Sequence, residues 1–251
     1  MKKTILTLSI FAFIASGCGK KSNQQANTKV YEVINQTLID NEPPTFEFKT
    51  FEFDFGFTVT VRKTEVFDVL KTFEHFKLKR NNRIVYFDDG LLNEYEFCNE
   101  LFPIILQTGD DSFELLFEVN DRPNKNYLKR LFVSNDKLIG QDKLPLFEGK
   151  PIDIDNDGIK RYAGSFGFFE LWGENNSFTT YNPILYFKIT ETGLKLDSLF
   201  TKQRNEMIYG QFHGFSYSEK NEPPIPISVI EKFEQEIRII RGEKTLNGSD
   251  Y

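Results

Sequence analysis

The sequence has few of the residues that build zinc centres, and it has no long apolar run at its N-terminus. Its 251 residues include two histidines and two cysteines. Two histidines cannot supply the three-nitrogen ligand set of a catalytic zinc site. The apolar stretch at residues 5–14 is too short to cross a bilayer as a helix, which needs about 20 residues. A three-histidine zinc enzyme and a permanent N-terminal membrane helix are therefore excluded.

Positive charge is also scarce relative to negative charge. The chain has 31 Lys and Arg against 37 Asp and Glu, which gives a formal net charge of −6 at pH 7. Nucleic-acid binding requires Lys and Arg to neutralise phosphates, and no basic stripe with interleaved aromatic residues is present. We therefore expect no nucleic-acid partner.

The N-terminal segment has the three parts of a secretory signal. Lys2 and Lys3 come first, the apolar stretch follows, and the small residues Ala15-Ser16-Gly17 precede Cys18. This end resembles the lipobox of bacterial lipoproteins, in which the cysteine thiol is diacylated and the new amino terminus is then acylated. The resemblance implies that residues 1–17 are removed and that Cys18 carries a lipid anchor to a membrane. Several acyl chains hold a protein stably on a membrane, whereas one chain binds only marginally.

The residues after Cys18 indicate how the anchor connects to the folded part. Residues 19–28 (GKKSNQQANT) are polar, so we expect residues 18–29 to form a flexible tether. Gly19 stands where lipoproteins retained in the inner membrane have Asp. The resemblance therefore implies an outer-membrane location, facing the periplasm or the exterior. Removal of the two leader lysines lowers the formal charge from −6 to about −8.

Stability must come from an apolar core. Cys98 is the only cysteine besides Cys18, so no intramolecular disulfide can form once Cys18 is acylated. The 27 phenylalanines supply the bulk of such a core. We expect a single β-rich globular domain over residues 30–242, with a sub-boundary near residue 148 as the alternative, and a frayed tail over residues 243–251.

Alternation of apolar and polar residues predicts a series of strands separated by turn residues. The phase of the first strand slips near residues 49–50, which predicts a bulge or a tight turn there. The predicted strands are residues 45–61, 83–87, 112–119, 127–134, 162–172, 184–190, 194–200 and 207–217.

Apolar residues at three- and four-residue steps predict three short helices. They lie near the N-terminus at residues 30–38, in the middle at residues 65–79, and near the C-terminus at residues 228–241. Ser228 and Glu231 have capping-box spacing at the start of the last helix, and Gly242 would end it. The predicted fold class is α+β, mainly β, with antiparallel strands joined as meanders.

One loop carries a motif with its own chemistry. In the sequence DIDNDG, Asp153, Asp155 and Asp157 take positions 1, 3 and 5, and Gly158 takes position 6. This spacing turns three carboxylates towards one point, and the glycine permits the sharp bend. Crowded carboxylates repel one another unless a cation lies among them, and Ca²⁺ prefers six to eight oxygen ligands. The sequence therefore predicts a calcium site.

Residues 153–164 resemble the calcium loops of FG-GAP and VCBS repeat proteins and, more distantly, an EF-hand. The resemblance implies that the three aspartates bind calcium through their side chains and that Ile159 contributes its backbone carbonyl. The chain departs from the pattern at Arg161, in a ninth position that is usually acidic, and at Gly164, in the twelfth.

These departures leave two interpretations of the loop open. In the first, calcium acts as a structural brace, and a remote residue such as Glu170 or Glu174, or water, completes its coordination. In the second, the segment is a metal-free hairpin turn in which Asp and Asn side chains bind neighbouring backbone N–H groups.

The function predicted from these features is a membrane-anchored, calcium-braced binding or structural domain of the cell envelope, with a protein or carbohydrate partner. One alternative is a hydrolase of envelope polymers that uses Asp or Glu as acid and base. Another is an immunity-type lipoprotein that neutralises a toxin in the periplasm. An aromatic cluster could line a carbohydrate or peptide groove, although core packing explains it more simply. Its members are Phe166, Phe168, Phe169, Trp172, Tyr181 and Tyr186.

The lipobox resemblance makes a direct prediction about the mature protein. Mass spectrometry of the membrane-extracted chain should find an N-terminus at Cys18 that carries the mass of several acyl chains, because cleavage and acylation act on that residue. A mature N-terminus that lacks acyl mass, or that lies at another residue, contradicts the prediction.

Overall fold

The chain is described from a computed structural model that covers residues 31–34, 47–65, 72–93, 103–218 and 223–243. For residues 31–34 only the backbone is described. Cys18, Cys98 and the proposed tether over residues 18–29 lie outside these ranges, as does the tail beyond residue 243.

The described chain forms 16 strands and two helices, α1 (Ser198–Tyr209) and α2 (Val229–Ile240). The strands are β1 (Tyr31–Ile34), β2 (Phe48–Phe53), β3 (Phe57–Lys63), β4 (Thr72–Arg80), β5 (Arg83–Asp88), β6 (Leu92–Asn93), β7 (Ile104–Gly109), β8 (Ser112–Val119), β9 (Tyr127–Ser134), β10 (Lys137–Phe147), β11 (Arg161–Ser165), β12 (Leu171–Trp172), β13 (Phe178–Thr179), β14 (Leu185–Thr190), β15 (Gly193–Leu196) and β16 (Ile225–Pro226).

Thirteen strands form one antiparallel sheet whose order follows the chain closely. The path is β1-β2-β3-β4-β6-β8-β9-β10-β11-β14-β15, with β5 paired to β4 and β7 paired to β8. Strands β12, β13 and β16 form a second, small sheet. Neighbours in sequence are mostly neighbours in space, as in a meander. The structure confirms the predicted α+β, mainly β fold class.

The apolar core of the described residues has one large part and two smaller parts next to the helices. The large part runs from β2 to β15 and contains many of the phenylalanines, among them Phe57, Phe76 and Phe117. One smaller part lies between β14 and the two helices, where Tyr186 packs with Phe200 and Phe233. The two helices therefore cover the face of the sheet formed by β11 and β14.

The prediction of a helix over residues 65–79 is wrong for residues 72–79, which belong to strand β4. Phe73 and Phe76 are both buried although they are three residues apart. A bulge explains this step, because β4 has one more residue than β3 between the pairs Arg62↔Glu74 and Thr60↔Lys77, and His75 has φ of 53°. The extra residue shifts the buried side and imitates helical spacing. Residues 66–71 lie outside the described ranges.

The predictions at the N-terminal end also need correction. Residues 31–34 of the expected helix form β1, which pairs with β2, and the rest of that segment is not described. The expected bulge near residues 49–50 is absent, because β2 and β3 pair in continuous register from Phe48↔Arg62 to Phe53↔Phe57. The chain reverses at Asp54–Gly56, where Phe55 and Gly56 have φ of 62° and 72°.

Four predicted strands are confirmed to within one residue: 83–87, 112–119, 127–134 and 184–190. Residues 162–172 divide instead into β11 and β12, which lie in different sheets. Of the predicted strand 194–200, residues 194–196 lie in β15 and residues 198–200 begin α1. No strand forms at 207–217, where residues 207–209 end α1 and the rest is irregular. The C-terminal helix is confirmed as α2, with Gly242 at φ of 67° after it, but Ser228 makes no side-chain cap.

The sequence does not predict helix α1, because this helix packs against the sheet partly through polar side chains. The Asn205 amide accepts from the backbone N–H of Ile184 and donates to its carbonyl, at 3.0 and 2.8 Å. Thr201 Oγ1 accepts from the backbone N–H of Tyr186 at 3.1 Å. A helix that uses Asn and Thr on its buried side lacks the apolar periodicity that marks amphipathic helices.

Glycine substitutions test the close packing of β10 against β11. A Cβ built on Gly164 would lie 2.0 Å from the backbone oxygen of Leu146, whereas one on Gly140 would make an ordinary 3.5 Å contact with the Phe132 ring. Gly164→Ala should therefore lower the free energy of unfolding by about 1–3 kcal/mol, and Gly140→Ala should change it much less. Urea denaturation measures both, and equal effects contradict the described register.

Candidate cation site

The acidic motif forms a closed loop between β10 and β11. Ile152 and Arg161 make an isolated antiparallel bridge, with N–H···O distances of 3.0 and 2.9 Å in the two directions. The bridge fixes the two ends of the segment at residues 153–160, and the acidic motif with Ile159 forms loop 153–159 within it. Asn156 and Gly158 have φ of 59° and 82°, which allows the tight path between them.

Asp153 organises the loop from its first position. Its two carboxylate oxygens accept hydrogen bonds from the backbone N–H groups of Asp157 and Gly158, at 3.1 and 3.0 Å. Asp157 in turn accepts from the N–H of Ile159 at 2.7 Å. These are the side-chain to backbone bonds that the metal-free hairpin interpretation predicts, and they also turn the carboxylates inward.

The three aspartates converge as their spacing predicts. One carboxylate oxygen from each of Asp153, Asp155 and Asp157 lies within 4.8 Å of the others. This cluster could hold a metal ion. Glu170 and Glu174, the suggested remote ligands, are not part of it. Glu170 instead accepts a hydrogen bond from the hydroxyl of Tyr217 at 3.3 Å.

A guanidinium group already lies among the same oxygens. Arg161 Nη1 donates to Asp157 Oδ1 at 3.1 Å and to the carbonyl of Ile159 at 3.0 Å. Nη2 donates to Asp157 Oδ2 at 2.6 Å, so the pair is bidentate. Nη1 also lies 3.5 Å from Asp155 Oδ1. Arg161 therefore contacts three of the four groups that the sequence assigned to calcium.

Arg161 also joins the loop to helix α1. Its side chain is 4% exposed, and Nε donates to Asp197 Oδ2 at 3.1 Å. Asp197 is the N-cap of α1, since its other oxygen accepts from the N–H of Phe200. The guanidinium carbon lies 4.0 Å from the centroid of the Phe200 ring, within cation–π range. One buried cation thus connects the loop, β11 and α1.

The donor set fits a cation, and the structure identifies a protein cation that satisfies it in part. The oxygens of Asp155, Asp157 and Ile159 face one positive group, as ligands of calcium would. If calcium were bound, Asp153, Asp155 and Asp157 would hold it together with the Ile159 carbonyl, and its charge would offset most of theirs. The guanidinium of Arg161 would have to give up at least its bonds to Asp157.

A cavity of about 770 Å³ adjoins the loop. It lies between residues 148–153 and the end of α2 at residues 240–243. Glu148 on its wall is buried and accepts from Lys125 Nζ and Arg241 Nη2, at 2.9 and 2.7 Å. Both oxygens of this carboxylate are therefore bound by protein cations.

The predicted aromatic cluster does not form one surface. Tyr181 and Tyr186 are fully buried, and Phe169 packs against Phe233 with ring centroids 4.7 Å apart. Phe166 and Phe168 are exposed. Trp172 packs against Phe178 with ring centroids 5.0 Å apart, so packing accounts for four of the six rings.

No protein-family model matches the chain, and no curated protein or solved structure is significantly similar to it. Among the helices of the described ranges, none is both long enough and apolar enough to cross a membrane.

Sequence reasoning placed the three aspartates and Ile159 but missed the roles of Arg161 and Asp197. Arg161 is a basic residue in a loop position that is usually acidic. This reversal of charge could have indicated that a protein cation lies near the carboxylates. Asp197 precedes a helix that has little apolar periodicity, so only its preference for N-cap positions could have indicated it.

The Arg161–Asp157 pair predicts a low titration point. The guanidinium of Arg161 lowers the pKa of Asp157 from 3.8 to about 2. A carboxyl whose pKa is depressed in the folded state stabilises that state above its unfolded pKa, and this contribution is lost as the pH falls towards about 2. Carboxyl-carbon NMR should give this midpoint, and Arg161→Gln should raise it towards 3.8. Arg62→Gln is the control and should leave the Asp157 midpoint unchanged. A midpoint of 3.8 or above for Asp157 in the chain without substitutions contradicts the pairing.

Proposed function

We propose that this chain is an envelope lipoprotein whose β-rich domain binds a partner or supports the envelope structurally, with calcium as a brace of loop 153–159. The N-terminal lysines, the short apolar stretch and the small residues before Cys18 support the lipid anchor. The outer membrane, with the domain in the periplasm or at the exterior, is the proposed location.

Convergence of the three carboxylates supports the calcium brace. Oxygen donors from Asp153, Asp155, Asp157 and Ile159 suit a hard cation, and calcium tolerates irregular geometry with water in the remaining positions. The loop lies beside β11 and α1, so an ion there would brace the junction between sheet and helix. This position suits a structural role, in which the ion keeps a surface in shape for a partner.

The state of Glu114 does not favour the alternative of a hydrolase that uses Asp or Glu as acid and base. Burial raises the pKa of this carboxyl, as catalytic acids require. However, Glu114 is 3% exposed and accepts from the backbone N–H of Leu194 at 3.0 Å, so it serves the packing of β8 against the β14–β15 hairpin. The proposed protein or carbohydrate partner would instead meet the exposed residues of the domain.

Thermal unfolding tests the calcium brace. For a site with Kd of about 1 mM, typical of extracellular modules, about 10 mM calcium should stabilise the mature chain in detergent by about 1.4 kcal/mol. That corresponds to a rise in Tm of a few degrees relative to protein in chelator.

Two variants make this experiment specific. Asp155→Ala should abolish the rise, because it removes one of the three proposed carboxylate ligands. Asp155 is exposed and its contact with Arg161 is long, at 3.5 Å, so the variant should keep its fold. Asp89→Ala removes an exposed carboxylate that pairs with His75 elsewhere, and it should keep the rise. No rise in the unvaried chain leaves only the metal-free hairpin, and equal rises in all three chains indicate non-specific binding.

A further inference from the structure

The groups proposed to bind calcium also bind Arg161, and the two cations need the same lone pairs. Both oxygens of Asp157 accept hydrogen bonds from the guanidinium, at 3.1 and 2.6 Å. The carbonyl of Ile159 accepts a third at 3.0 Å. A calcium ion bound to these oxygens would lie within a few ångströms of the guanidinium, where two positive charges repel each other.

Arg161 is held in place by the fold, so its contact with Asp157 and Ile159 has a fixed geometry. Its backbone closes the loop through the bridge to Ile152, and its side chain is 4% exposed. Asp197 and the Phe200 ring hold the inner edge of the guanidinium, at 3.1 Å and 4.0 Å. The outer edge is thereby aimed at the loop. Bidentate pairing of this kind is stronger than an exposed ion pair.

The two halves of the guanidinium respond differently to an incoming ion. Nη1 and Nη2 bind groups that calcium needs, whereas Nε binds Asp197, which lies outside the acidic motif. The side chain can therefore release the loop and keep its contact with the N-cap of α1. The exchange of cations changes the electrostatic environment of Asp197 and links the loop to the start of α1.

We propose that Arg161 is a built-in cation that competes with calcium for the oxygens of loop 153–159 and so sets the calcium affinity of the loop. Without calcium the guanidinium offsets part of the negative charge of the loop and preserves its path. Calcium binds when its concentration is high enough to displace Nη1 and Nη2 from Asp157 and Ile159. This inference rests on the proposed calcium brace, and it assigns the control of that site to Arg161.

Calorimetric calcium titration of the mature chain in detergent tests the competition. Arg161→Gln removes the competing charge while keeping a side chain that can hydrogen-bond, so its Kd for calcium should fall about tenfold or more. Arg161→Lys keeps a charge but loses the bidentate geometry, so its Kd should lie between the other two. Arg62→Gln is the matched control, since it removes an arginine that pairs with Glu74 on neighbouring strands and should leave the Kd unchanged.

The outcomes separate this inference from the proposed function. Tighter binding by Arg161→Gln than by the unvaried chain supports both. Equal or weaker binding by Arg161→Gln overturns the competition and leaves the calcium brace standing. If the Arg161→Gln variant binds calcium and the unvaried chain does not, the competition is supported and Arg161 excludes calcium from the unvaried chain. Absence of binding in all chains overturns both.

NMR of the unvaried chain gives a test that does not depend on the folding of a variant. Saturating calcium should increase the rate of solvent exchange of the Arg161 Nη protons and leave the Nε proton protected by Asp197. Unchanged Nη exchange at saturating calcium overturns the competition.

Discussion

The guanidinium of Arg161 is the charge on which the local structure of the acidic loop depends. Three aspartates within one short loop repel one another, and a nearby cation lowers the energy of their charged forms. Arg161 supplies that cation from the strand that follows the loop, and its Nε binds the N-cap of α1 at 3.1 Å. Loop, strand and helix therefore share one buried positive charge, and the proposed calcium ion would have to displace part of those contacts.

The antiparallel sheet is the support that makes this arrangement rigid. Residues of β11 are buried throughout, because β10 and β14 flank the strand and the helices cover it. Arg161 is the first residue of β11 and pairs with Lys188 of β14. The phenylalanine-rich core thus fixes the direction of the guanidinium, and the proposed lipid anchor would hold this unit at a membrane. The loop itself remains at the surface, with Asp155 and Asp157 exposed.

Local patterns predicted much of this structure, and interactions distant in sequence account for what they missed. The apolar run of β8, which is buried almost throughout, and the alternating pattern of β9 were both placed correctly because turn residues bound each strand. The bulge at His75 gave β4 a helical spacing, and only its pairing with β3 shows why. Helix α1 uses Asn205 and Thr201 against backbone groups of β14, which leaves no apolar stripe to detect. Likewise, the spacing of the aspartates predicted their convergence, but the direction of Arg161 is set by Asp197, which lies 36 residues further along the chain.

The role of Arg161 is tested most directly by a crystal structure of the chain grown in chelator. In that structure the Arg161 guanidinium should bridge the carboxylates of Asp157 and Asp197, and the loop should keep its path in the absence of metal. A guanidinium directed into solvent, or a loop that loses its defined path without an ion, would contradict the central role assigned to Arg161.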